Sequence, residues 1–181
     1  MTADHLAPVY AQWPLDVVDG AGVFLRTRDG RQILDLYGGH AVAALGYGHA
    51  RWRGVLKDQS RTLLFQSNAV PLEVRTRAAT RLAHFAGQGL DTVFFCNTGA
   101  EANENALKLA LKITGRRKVV AIEGSFHGRT AAAGAVTWGA AAKWYGFPQA
   151  PFDVEFLPRG DFDAIARVVR TDTAAVIAEP V

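Results

Sequence analysis

The chain reads as an α/β protein built on a mostly parallel sheet, preceded by a short β-rich segment. Two patterns carry this reading. From Thr92 onward, short apolar runs alternate with helical ones, and strands alternating with helices form parallel sheets covered on both faces. Nearer the start, Asp29-Gly30 separates two short apolar-rich runs. Asp-Gly in that setting signals a hairpin, because both turn positions accept positive φ.

The hairpin runs are Val23-Phe-Leu-Arg-Thr-Arg28 and Gln32-Ile-Leu-Asp-Leu36. A connector rich in glycine follows, with Gly38, Gly39, Gly46 and Gly48. Trp52, Val55, Leu56 and Leu63 then recur at helical spacing, as do Val74, Ala78, Leu82 and Phe85. Arg75, Arg77 and Arg81 fall on other faces and read as solvated. Val93-Phe94-Phe95-Cys96 reads as a buried strand and Glu101 to Thr114 as a helix. Ala106, Leu109, Ala110 and Ile113 form one apolar stripe on that helix, which Gly115 stops. Lys118-Val-Val-Ala-Ile122 is the next strand. Phe162, Ile165, Ala166 and Val169 mark an amphipathic helix opened by Asp161 and Asp163, and Ala174-Ala-Val-Ile-Ala178 is a last apolar run. The sequence stops at Glu179-Pro180-Val181, where a binding loop is expected beyond a strand's carboxyl end, so the chain reads as the N-terminal part of a longer protein. No internal repeat or low-complexity segment is visible.

Composition narrows the function classes. The 181 residues carry a formal charge of +3, and their arginines are scattered, which argues against nucleic acid as a partner. The lone cysteine, Cys96, forms no intrachain disulfide and no multi-cysteine metal site; it reads as a small buried core residue, in keeping with a reducing compartment. Residues 1–14 lack an apolar h-region, and no apolar run approaches membrane-spanning length. A soluble, cytoplasmic protein without membrane or metal partners is the expectation.

The chemistry concentrates at two turns. In Asn97-Thr98-Gly99-Ala100-Glu101, Thr98 and Glu101 form a Thr-x-x-Glu capping box with Thr98 as N-cap. Taken alone, that is only a well-capped helix. The first amides of a helix lack intrahelical partners, however, and so suit an anion. Gly99 lets the backbone approach a ligand and Ala100 keeps the turn small, so the Thr98 hydroxyl and the Gly99 and Ala100 amides are candidate phosphate ligands. Glu101 and Glu104 must then point away from the phosphate.

The second turn is Gly124-Ser125-Phe126-His127-Gly128-Arg129-Thr130, just after a strand. Phe126 suits stacking on a planar heteroaromatic ring, and Arg129 suits bidentate pairing with a carboxylate. The structural alternatives are a core plug for Phe126, a loop hydrogen-bonder for His127 and a surface charge for Arg129. Other schemes fail. Gly46-Tyr47-Gly48 has Arg51 where a dinucleotide fingerprint needs its third glycine. Ser125 lacks the spacing of a nucleophile elbow. There is no nucleotide P-loop, and no histidine pair stands at a metal-ligand spacing.

In combination these segments resemble the class III (ornithine-type) aminotransferases, which use pyridoxal phosphate, with the acetylornithine branch nearest. The resemblance runs from about Val17 to Val181. It is carried by Asp29-Gly30 with Leu34-Asp35-Leu36; Gly38-Gly39 leading to Leu45-Gly46; Phe94-Phe95-Cys96-Asn97-Thr98-Gly99-Ala100-Glu101-Ala102-Asn103-Glu104; Phe126-His127-Gly128-Arg129-Thr130; and Ala175-Val-Ile-Ala-Glu179-Pro180-Val181.

The resemblance implies the PLP-dependent transferase fold of the aspartate aminotransferase type (type I). Residues 1–50 would contribute to an arm and small domain, and 51–181 would be the first part of an incomplete large domain. It implies that Thr98, Gly99 and Ala100 hold the cofactor phosphate, that Phe126 stacks on the pyridine ring, and that Arg129 binds a substrate carboxylate. Thr98 stands where the family more often has Ser. Glu179 opens the family's Glu-Pro-[Val/Ile]-Gln-Gly-Glu segment, with its side chain expected near the cofactor. The implied reaction moves the amino group of N-acetylornithine, or a close ω-amino acid such as 4-aminobutyrate or succinylornithine, to 2-oxoglutarate in arginine biosynthesis, in a homodimer. The Schiff-base lysine and the pyridine-pairing aspartate would lie beyond Val181. Lys57, Lys108, Lys112, Lys118 and Lys143 lie in no segment resembling the family's lysine segment, so no catalytic residue is assigned and the chain alone is expected to be inactive. Its remaining alternative is a non-catalytic remnant or a module that binds a phosphorylated ligand or a partner. Gly46-Tyr47-Gly48-His49-Ala50 departs from the family's Gly-His-x-His-Pro at Tyr47 and Ala50.

Overall fold

The computed structural model describes residues 5, 7, 10–143 and 146–180. The chain divides into compact units at Met1–Thr76 and Arg77–Val181.

In the first unit, β1 (Val17–Ala21), β2 (Phe24–Thr27) and β3 (Gln32–Leu34) make an antiparallel sheet in that order. The Asp29-Gly30 turn joins β2 to β3 as expected, although of the two only Gly30 takes positive φ, at +85°; β1 was not foreseen. A single turn, α1 (Gly38–Ala41), follows. Its residues all have φ near +60°, His40 and Ala41 included, so the glycine-rich connector is wound left-handed. Asp35 organises it, accepting hydrogen bonds from the amides of Tyr37 at 3.0 Å and Gly38 at 2.9 Å and from the Tyr47 hydroxyl. Tyr47 is thereby explained as a clasp. Its backbone pairs with Gly22 at 2.7 and 2.9 Å, and its ring lies so close to Gly20 that an added Cβ would come within 2.7 Å of it. Helix α2 (Ala50–Thr62) is N-capped by His49, whose Nδ1 accepts from the Trp52 amide at 3.3 Å. Helix α3 (Glu73–Ala86) continues into the second unit.

The second unit is the expected parallel sheet. β4 (Lys118–Ile122) lies between β5 (Asp153–Leu157) and β6 (Thr173–Ile177). Val119, Val120 and Ala121 are fully buried, as a central strand demands. Val119 and Ala121 face α4 (Gly99–Thr114) and α5 (Ala131–Ala135), packing with Leu107, Ala132, Val136 and Phe152. Val120 packs with Leu157 and with Ala164 of α6 (Phe162–Val168) on the opposite face. Among the described residues no helix is long and apolar enough to cross a membrane.

Several expectations need correction. Residues 93–96 pair with no strand among the described residues, and Phe94, Phe95 and Cys96 are exposed. Their apolarity marks a strand-like segment, but a strand exists only through a neighbour that takes its backbone hydrogen bonds. On α4 the buried face is Leu107 with Leu111 rather than the stripe through Leu109 and Ile113, which are 58% and 80% exposed. The helix is apolar on two faces, and the sheet takes only one. On α6 Ala164 is buried, with Val168 and the expected Val169 partly buried against the same cluster, whereas Phe162 and Ile165 are exposed. β5 and α5 had not been read from the sequence at all. Val181, the end of the last matching segment, lies outside the described residues.

Candidate active site

All the candidate site residues lie in the second unit, at and around the carboxyl ends of the parallel strands. Thr98 caps α4 as expected: its Oγ1 accepts from the Glu101 amide at 3.0 Å, and the Glu101 carboxylate accepts from the amides of Asn97 at 2.7 Å and Thr98 at 3.1 Å. Glu101 thus turns back over the N-cap. The amides of Gly99 and Ala100 donate to nothing among the described residues. A Cβ added at Gly99 would meet no atom within 4 Å. This is an open cradle with free donors at a helix N-terminus, which fits a phosphate.

Two residues that sequence reasoning had left without a role join this turn to the next. Asn103 donates from Nδ2 to the His127 carbonyl at 2.8 Å. Glu104 accepts from the Thr130 hydroxyl at 2.6 Å and from the amides of Ala132 at 2.9 Å and Ala133 at 3.1 Å, so it caps α5 from another helix. Burial pushes the Glu104 carboxyl up, but the bonds from Thr130, Ala133 and Ala132 and the charge of Lys108 outweigh it, leaving the pKa below the usual 4.5. Glu104 therefore faces α5 and not the cradle. Their spacing is the signal that was available: Ala100, Asn103 and Glu104 stand at i, i+3 and i+4, on one helix face.

Gly128 closes the junction. Its φ is +133°, and an added Cβ would come within 2.6 Å of Ala100 Cβ and 3.0 Å of Ala133 Cβ. Only glycine fits both that backbone and that approach. The loop is also held by Thr137, whose buried hydroxyl accepts from the His127 amide at 2.9 Å and lies 3.0 Å from the Gly128 carbonyl. His127 is buried, with burial lowering its pKa below 6.5 against an opposing pull from the Glu179 charge. Ser125 Oγ and His127 Nε2 have no hydrogen-bond partner among the described residues.

Phe126 itself is not a core plug: the residue is 47% exposed. The Arg129 guanidinium lies 5.8 Å from the centre of its ring. Glu179, just beyond β6, accepts from the Phe126 amide at 2.9 Å. An exposed ring, a neighbouring guanidinium and an open phosphate cradle fit a planar phosphorylated cofactor with an anionic substrate beside it. By contrast Lys118 lies at the amino end of β4, where its Nζ is held by the Val168 carbonyl at 2.8 Å and by Asp172 at 3.1 Å. Among the described residues no cluster of side chains is arranged to hold a metal.

The Aminotransferase class-III family profile matches residues 6–181. Acetylornithine aminotransferase of Methanopyrus kandleri is 40% identical over 172 residues, covering 95% of this chain and 44% of that protein. Acetylornithine aminotransferase of Streptomyces coelicolor is 43% identical over 168 residues, covering 92% of this chain and 41% of that protein. Ornithine aminotransferase from Toxoplasma gondii ME49 superposes with a TM-score of 0.85 at 26% identity, covering 98% of this chain and 43% of that one. Taurine:2-oxoglutarate aminotransferase from Bifidobacterium kashiwanohense, solved in complex with PLP and glutamate, does so with a TM-score of 0.79 at 25% identity, covering 96% and 45%. The chain spans less than half the length of each of these relatives.

Proposed function

The chain belongs to the class-III aminotransferases, and on that premise we propose that it is the cofactor-gripping part of a pyridoxal-phosphate transaminase acting on N-acetylornithine or a close ω-amino acid, with 2-oxoglutarate as acceptor, in arginine biosynthesis. The observation that carries the reading is the pair of turns bolted together through Asn103, Glu104 and Gly128. The acetylornithine relatives support the substrate.

When bound, the cofactor supplies an electron-withdrawing ring that stabilises charge on the substrate carbon. The chain's own residues do the rest of what is assigned here. The Gly99 and Ala100 amides and the Thr98 hydroxyl take the phosphate, and the α4 dipole favours its charge. Phe126 covers the ring. Arg129 offers paired N–H donors to a substrate carboxylate and so fixes which end of the amino acid reaches the ring. In this reading residues 1–50 belong to the arm and small domain, residues 51–181 begin the large domain, and the protein acts as a cytoplasmic homodimer. None of the lysines present is assigned a proton-transfer role, so no turnover is expected from these 181 residues alone.

The test is amino-donor profiling of the protein expressed from its complete reading frame. N-acetylornithine preferred over 4-aminobutyrate and succinylornithine, with glutamate accumulating, is expected. Preference for another donor reassigns the substrate. PLP binding without turnover on any donor instead supports a non-catalytic binding module.

A further inference from the structure

We propose that Glu179 is a positioning residue that sets the height and tilt of the Phe126 ring through the Phe126 backbone amide; this rests on the reading of Phe126 as the ring-covering residue. The loop from Glu123 to Arg129 must hold a half-exposed aromatic side chain in one place, and the ring itself gains little from packing. Its fixing therefore falls to the backbone. On one side the chain is tied down after the ring: the His127 amide goes to Thr137, the His127 carbonyl to Asn103, and Gly128 lies against Ala100. Before the ring, Ser125 donates its amide to the Ile122 carbonyl at 3.3 Å, and its carbonyl, in the same peptide unit as the Phe126 amide, accepts from the Trp138 amide at 2.9 Å. The other face of that peptide unit, the Phe126 amide, is taken by the carboxylate of Glu179 at 2.9 Å. That bond joins the ends of adjacent parallel strands, β4 and β6, across 53 residues of chain. It is charge-assisted, which makes it stronger and more directional than a neutral bond. The carboxylate holds the main chain at the residue that carries the ring, so its effect is on ring position, and its charge also bears on the buried His127 next door.

The test compares Glu179→Ala, which removes the acceptor, with Glu179→Gln, which keeps an acceptor oxygen and drops the charge. The first readout needs no cofactor: amide hydrogen exchange at Phe126 by NMR, with His127 as the internal control. In Glu179→Ala, exchange at Phe126 is expected to rise about tenfold or more, the scale of one charge-assisted bond, while His127, still held by Thr137, keeps its rate. Glu179→Gln is expected to restore most of the protection. The second readout is induced circular dichroism on adding pyridoxal phosphate. Glu179→Ala is expected to bind about three- to tenfold more weakly with an altered band, and Glu179→Gln to resemble the parent. Unchanged exchange at Phe126 in Glu179→Ala, or a Glu179→Gln variant as impaired as the alanine one, overturns the proposal. If the parent protein shows no induced signal with pyridoxal phosphate, the functional reading fails instead, and the exchange rates still decide whether Glu179 places the ring.

Discussion

Gly128→Ala is the sharpest perturbation of the site's frame. The new methyl would come within 2.6 Å of Ala100 Cβ, 2.9 Å of Ala100 Cα and 3.0 Å of Ala133 Cβ. These atoms belong to backbone and short side chains that cannot swing aside, so the overpacking costs about 1–3 kcal/mol. The backbone φ of +133° adds about 1–3 kcal/mol for any residue with a Cβ. The sum, about 2–6 kcal/mol, is a large share of the roughly 5–15 kcal/mol that holds a domain folded. Urea unfolding followed by circular dichroism reads it as a midpoint lowered by about 1–3 M. Gly99→Ala is the matched control: its methyl meets nothing within 4 Å, so stability stays within about 1 kcal/mol while the phosphate cradle fills. Adding Ala100→Gly to Gly128→Ala removes the 2.6 Å clash with the Ala100 side chain. The 2.9 Å approach to the main chain at residue 100 and the backbone strain both stay, so about 1 kcal/mol should return as coupling between the sites. A Gly128→Ala protein within about 0.5 kcal/mol of the parent, the spread of a neutral surface change, would refute the claim that the two turns are locked together.

Other outcomes follow from the same geometry. Glu104→Ala uncaps α5 and should cost about 1.5–3 kcal/mol in urea unfolding, with Glu104→Gln recovering part; equal stability of Glu104→Ala and the parent would remove Glu104 from the frame. Because the folded Glu104 pKa lies below 4.5, its contribution is present above that value and lost as pH falls through the folded pKa, so the parent's acid-limb slope should shrink in Glu104→Ala. For His127 the folded pKa is also lowered, so the unfolded chain binds a proton that the fold resists, and stability should fall as pH drops below 6.5. A two-dimensional NMR titration checks this, and a ring titrating at or above that value contradicts it. In the first unit, Gly20→Ala drives a methyl to 2.7 Å from the Tyr47 ring and should destabilise the hairpin by about 1–3 kcal/mol, read by amide exchange across β1 and β2. Tyr47→Phe should raise the Asp35 carboxyl towards its ordinary range, since the Tyr47 hydroxyl heads the bonds that lower it.

Much of the frame was legible because it is encoded locally. The Thr98 and Glu101 capping box and the Asp29-Gly30 hairpin turn depend on neighbours within a few residues, and the unbroken apolar run of β4 carries the mark of a strand buried on both faces. What sequence reading missed depends on partners far along the chain. Residues 93–96 have strand-like side chains but take their identity from a pairing neighbour. Leu107 and Leu109 are equally apolar, and only the sheet decides which is buried. Asn103 and Glu104 look like ordinary helix polar residues until the second turn is seen to lie against them. The bond from the Phe126 amide to the Glu179 carboxylate spans 53 residues of chain, and no local pattern announces it. β5 was within reach, since Val154 and Phe156 alternate with Asp153 and Glu155.

The proposed function stands on Thr98, Gly99 and Ala100 holding the phosphate of pyridoxal phosphate. Amide chemical shifts measured while the protein is titrated with pyridoxal phosphate, and separately with unphosphorylated pyridoxal, test this most directly. Large shifts at Gly99 and Ala100 are expected with the phosphorylated compound, and little change there with pyridoxal. Equal responses to both compounds, or shifts that leave Gly99 and Ala100 untouched, would contradict it.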